Sequence, residues 1–159
     1  MDRNRAWREG AIAGALAYVV VAAFFALLNL VFGRSPFDTA FLIGEALGAG
    51  APGPNPDIGI ILAGNGLHLL ISLGVGIAAA FLMLELEHHH GLWYAVLLAF
   101  LGGFFVSIVV AGTLAVELAD IVTWPQIAVA NSLGAFVIGA YLWKMHRDLL
   151  ASLGQEIEA

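Results

Sequence analysis

The sequence predicts an all-α, polytopic membrane protein: a four-transmembrane-helix antiparallel bundle with a short outer helix that is interfacial or re-entrant. Three observations carry this. Hydrophobic residues make up 61% of the 159-residue chain and charged residues only 11%, where a soluble domain carries about a quarter. Mean hydropathy is +0.93. Four segments are each long enough to cross a hydrocarbon core of about 30 Å, which takes about 20 apolar residues. They lie at about residues 11–32, 58–84, 92–118 and 125–143, in a single membrane domain covering 1–159.

The first span follows a basic head, "MDRNRAWREG". That order superficially matches a signal peptide, but the apolar run is too long for such a leader and has no convincing small-residue cleavage site. A retained first helix is expected. "GRSPFD" ends it, "GAPGPNPD" precedes the second span, "ELEHHHG" separates the second from the third, and "ELADIVTWP" separates the third from the fourth. Pro125 suits the first turn of the fourth helix, where its missing N–H costs nothing.

Between the first two spans, "SPFDTAFLIGEALGAG" has a helix-start signature, with Ser35 as N-cap, Pro36 at the first position and Asp38 at the third. From Pro36 to Leu47 such a helix covers about 18 Å, too short to cross. Phe37, Phe41 and Leu42 give it an apolar side. The C-terminal "RDLLASLGQEIEA" reads as a short amphipathic end.

The cations set the orientation. Arg3, Arg5 and Arg8 precede the first span and Lys144 and Arg147 follow the fourth, leaving only Arg34 on the other side. Four crossings return the chain to its starting side, so both termini are expected in the cytoplasm, with the protein integral to the cytoplasmic (inner) membrane. Trp7, Trp93, Tyr94 and Trp143 then fall at the inner interface and Trp124 at the outer one.

In lipid, small and polar residues mark the faces where helices meet. On the second span Asn65, His68, Ser72, Gly76 and Ala79 follow one another at offsets of 3, 4, 4 and 3 and share a stripe. The opposite side, with Ile60, Leu67, Leu70, Ile71 and Phe81, suits acyl chains. The first span has Gly14, Tyr18, Ala22, Phe25 and Asn29 on one side, with Gly10 and Gly14 making a G-x-x-x-G pair. Gly102, Val106, Val109, Thr113, Glu117 and Asp120 line the third, and Asn131, Gly134 and Ala135 mark the fourth.

His68 is the ionisable group of this polar intramembrane stripe of Asn65, His68, Ser72 and Asn131. Three roles compete for it. The first is a neutral imidazole hydrogen-bonded to Asn65, Asn131 or a backbone carbonyl. The second is ligation of haem or a metal; the bis-His form needs a second chain, because His88, His89, His90 and His146 all sit at the inner boundary. The third is proton or solute passage. No cofactor is expected from one chain alone. In "ELEHHHG", Glu85, His88 and His90 are weak metal candidates, since three adjacent histidines point in different directions on a helix. Asp38, Glu45, Asp57, Glu117 and Asp120 form an outer acidic face that suits a basic partner or is a solvated rim.

Several classes are excluded. With no cysteine there are no disulfides, thiolate metal sites or cysteine nucleophiles. A net charge of −6 argues against nucleic-acid binding. The sequence has no H-E-x-x-H, no G-x-S-x-G, no nucleotide-binding loop and no carboxylate pair at bundle-core depth, so no enzymatic role is expected.

The segments "GAIAG", "GRSPFDTAFLIGEALG", "NGLHLL" and "KMHRD" resemble those of a loose group of small bacterial and archaeal four-helix membrane proteins of unknown function. That resemblance implies the four-helix fold and no catalytic residue. Two functions stay open. One is a non-catalytic accessory or structural subunit of a larger, energy-transducing (respiratory-type) membrane complex. The other is a small homo-oligomeric transporter or channel built around His68. The partners expected are the lipid bilayer and other membrane subunits or further copies of the chain.

Overall fold

A computed structural model describes residues 2–48, 57–88, 105 and 122–147. Among these there are four helices and no strand: α1 (Arg3–Val31), α2 (Asp38–Ala46), α3 (Ile58–His88) and α4 (Trp124–Met145). α1, α3 and α4 are long and apolar enough to cross a membrane. Of the expected span at 92–118 only residue 105 is among the described residues, and it is helical.

α1 has 29 residues and is about 43 Å long. It exceeds the hydrocarbon core because the basic head is itself helical. Asp2 caps it, its carboxylate accepting from the Asn4 N–H at 3.4 Å. The other end closes on Gly33 at φ 70°, a left-handed position that suits glycine. The Gly33 N–H bonds to the Leu30 carbonyl (3.0 Å) and the Arg34 N–H to that of Asn29 (2.8 Å), the double bond of a Schellman stop.

α2 is short, as expected, with 9 residues and a length of about 14 Å. It starts later than the Ser35 signature implies. The Phe37 N–H bonds to Ser35 Oγ (3.3 Å) and the Asp38 N–H to the Ser35 carbonyl (3.1 Å), so Ser35–Phe37 close a turn before the helix. α2 lies against α3 through two glycines. A Cβ on Gly44 would strike the Ile60 backbone, and one on Gly64 would strike that of Ala40. At the end of α1, buried Asn29 donates from Nδ2 to Thr39 Oγ1 at 3.0 Å, tying in α2.

α3 begins at an Asp57 cap, with the Gly59 N–H 2.7 Å from Oδ1. It continues past the expected end at 84, so "ELEH" is its last turn. α4 starts with Pro125 in its first turn, as expected, and Gln126 Oε1 accepts from the Thr123 N–H at 2.9 Å in a capping box.

Among the described helices α1 packs along both α3 and α4 and touches α2 only lightly, whereas α3 and α4 barely touch each other. Contacts on α3 run backwards along α1. Trp7 meets Phe81 edge to face, with centroids 5.6 Å apart, Gly10 meets Ile77, and Gly14 meets Leu73. A Cβ at Gly76 would fall 2.7 Å from Gly14 Cα. The G-x-x-x-G pair and Gly76 therefore bring the two backbones into direct contact, where dispersion replaces the hydrophobic drive missing in lipid. α4 uses an adjacent face of α1: Ala6, Ala13 and Ala17 join Ala79, Ala80, Leu84, Ile138 and Leu142 in the core.

Two residues assigned to the lipid side of α3 belong elsewhere. Ile60 is 3% exposed beneath Gly44 of α2, and Phe81 packs on Trp7 and the core. Neither docked helix can be read from a simple two-sided pattern. Leu70, 68% exposed, and Ile71 do face outward.

Candidate functional site

The polar stripe of α3 points at α1, beside the Gly10, Gly14 and Gly76 contacts that set the spacing between the two backbones. Tyr18 donates from its hydroxyl to Asn65 Oδ1 at 3.2 Å, and Asn65 Nδ2 donates to the Ile61 carbonyl at 3.1 Å. The Tyr18 and His68 rings meet edge to face, 5.2 Å between centroids and 65° between planes. Asn65 is thus engaged by Tyr18 and its own helix, not by His68. Among the described residues the His68 ring nitrogens make no hydrogen bond, and the ring is held by Tyr18 instead. Ser72 lies one turn along at the Gly14 contact. Asn131 is half-buried on α4, a helix that packs mainly along α1.

The outer acidic residues are divided among separate tasks. Asp57 caps α3, Asp38 opens α2 and Glu45 is half-buried near the end of α2. Glu117 and Asp120 lie outside the described residues. Of the weak metal candidates, Glu85 is exposed on α3 and His88 ends that helix, while His90 lies outside the described residues. No group of three potential ligands occurs among the described residues.

The most buried ionisable cluster among the described residues was not anticipated. Glu9, 2% exposed, is in the second turn of α1. Arg5 Nε donates to its Oε1 at 2.7 Å, and His146 Nε2 lies 2.9 Å from its Oε2. The His146 side chain is 1% exposed. Arg5 also reaches the Met145 carbonyl with Nη2 at 3.5 Å. A buried carboxylate needs such partners, since an unpaired charge there is costly. One signal in the sequence bears on this: Arg5 and Glu9 stand four residues apart at the mouth of an apolar run. The third member, His146, comes from 137 residues away. Chemically, the cluster clamps the start of α1 to the end of α4.

Comparison with protein-family models, curated proteins and solved structures finds no match.

Proposed function

We propose that this chain is a non-catalytic structural subunit of a larger membrane assembly in the inner membrane. One observation carries the reading: the polar side chains of the apolar helices are largely spent on one another. Tyr18 holds Asn65, Asn29 holds Thr39, and Arg5 and His146 hold Glu9. Such bonds staple helices together, whereas a conduction path needs polar groups left facing an opening. Glycines on outward surfaces support lateral packing. Nothing described lies within 4 Å of a Cβ placed on Gly74 of α3 or Gly139 of α4, and a glycine in a helix interior costs about 1 kcal/mol unless close approach uses it.

A four-span antiparallel bundle with cytoplasmic termini is part of the proposal. α3 and α4 both run opposite to α1, so His88 and Trp124 belong to opposite ends of the helices. The chain between them has to return, which supports a crossing at 92–118. Five cations stand at the end shared by the two termini, and the positive-inside tendency puts that end in the cytoplasm. Cysteines introduced singly as Ala51→Cys and Ser152→Cys test this with an impermeant thiol reagent on intact cells. Labelling of the first and protection of the second are expected; external labelling at Ser152→Cys refutes the orientation.

A second reading, a small homo-oligomeric transporter, draws on His68, whose ring nitrogens have no hydrogen bond among the described residues. Native electrophoresis of the tagged protein in mild detergent separates the two. A hetero-complex much larger than the 16.7 kDa chain supports the subunit; a discrete homo-oligomer supports the transporter.

A further inference from the structure

We infer that the end of the bundle where α1 starts and α4 finishes is a binding surface for anionic phospholipid headgroups. The inference rests on the membrane location alone, and not on membership of an assembly. The Glu9–His146 contact at 2.9 Å and the Arg5–Met145 contact at 3.5 Å hold the two helix ends together. They thereby bring Arg3 and Arg8 to the same end as Lys144 and Arg147, all four exposed. Among the described residues none of these four forms an ion pair. The acid between the helices, Glu9, is buried and already held by Arg5 and His146, so it does not neutralise them; exposed Asp2 and Glu85 stand at the same end, so the four exposed cations outnumber the exposed acids described there by two.

The surface below the cations matches the rest of a lipid. Arg8 stands above an outward apolar stripe of α1 formed by Ile12, Leu16 and Val19. Arg147 and exposed Trp143 stand above Phe136 and Val129 on α4. Each stripe follows helical spacing, so a headgroup phosphate at the cations places its acyl chains along the apolar side chains. The long Arg and Lys stems reach up to that level, and Trp143 and Trp7 occupy the interfacial belt. Among the described residues the opposite end has one cation, Arg34, with Asp38, Glu45 and Asp57. The excess of cations at this end, against an excess of acids at the other, therefore favours anionic lipid in one leaflet.

The test uses the intact protein in mild detergent, with thermal unfolding followed by circular dichroism. Dioleoyl phosphatidylglycerol and dioleoyl phosphatidylcholine are titrated separately. Phosphatidylglycerol is expected to raise the unfolding temperature at lower lipid concentration, and the gap is expected to close in about 1 M salt, where the Debye length is about 3 Å. Arg3→Gln, Arg8→Gln, Lys144→Gln and Arg147→Gln combined should erase the preference, at about fivefold in apparent affinity per cation, while Arg34→Gln keeps it. Should the combined variant fail to fold, Arg8→Gln and Arg147→Gln singly should each weaken phosphatidylglycerol by about fivefold. Equal response to both lipids, a preference that survives the substitutions, or the same stabilisation by inorganic phosphate overturns the inference. Carbonate extraction of membranes tests the membrane location separately, so the two failures are distinguishable.

Discussion

Replacing Gly14 by alanine tests whether backbone contact between α1 and α3 holds this protein together. An added Cβ would lie 2.7 Å from Leu73 Cα and 2.9 Å from the Ser72 carbonyl carbon, and closer still to the Ser72 oxygen. Comfortable carbon–carbon contact needs about 3.5–4.0 Å, so the helices must separate by about 1 Å. The obstacles are backbone atoms, which cannot rotate away. One turn along, the Tyr18–Asn65 bond at 3.2 Å would stretch past hydrogen-bonding reach. Overpacking costs about 1–3 kcal/mol and the lost interhelical bond about 0.6 kcal/mol. Against these, alanine gains about 1 kcal/mol over glycine in a helix. The net expectation is destabilisation by about 1–2 kcal/mol, read as a fall of about 2–4 °C in Tm for each kcal/mol. Gly74→Ala is the matched control on the same helix pair. No described atom lies within 4 Å of its Cβ, so Tm should hold or rise. Thermal unfolding in detergent, followed at the helical circular dichroism band, measures both. A Gly14→Ala variant as stable as Gly74→Ala would refute the close-contact argument.

The buried clamp predicts asymmetric effects. His146→Ala leaves the Glu9 carboxylate with one partner fewer and should cost about 3 kcal/mol or more, whereas Glu9→Leu with His146→Leu removes both groups and should recover most of that loss; chemical unfolding of the single and double variants measures the difference. At the polar stripe, Tyr18→Phe keeps the edge-to-face packing on His68 and loses only the bond to Asn65, so a cost of about 0.6–2 kcal/mol is expected. His68→Leu loses the ring contact, worth about 0.5–1.5 kcal/mol, and His68→Phe should retain it. If His68→Phe is folded and as stable as the native protein yet inactive in any transport assay, the imidazole has a role beyond packing.

Three spans, the short helix after Arg34 and the crowding of cations at one end were legible in the sequence because each depends on local composition. Lipid rewards an apolar run wherever it occurs, and Gly33 or Pro125 acts on its own turn. The stripe of Asn65, His68, Ser72 and Gly76 was legible as a contact face for the same reason, since helical spacing alone aligns it. Pairing across elements was not. Asn65 takes Tyr18 and leaves His68 edge to face with the Tyr18 ring, an outcome set by where the Gly10, Gly14 and Gly76 contacts stop the helices. Ile60 has the character of a lipid-facing residue and becomes buried only because α2 folds back onto it through Gly44. Glu9 and His146 look like two interfacial residues, and nothing local makes either choose the other. A distance of 137 residues separates them along the chain. Hydropathy and capping act within a few residues of chain, so they write spans and helix ends into the sequence. Which buried polar groups meet depends on helix rotation and approach, and those are decided only when the backbones pack.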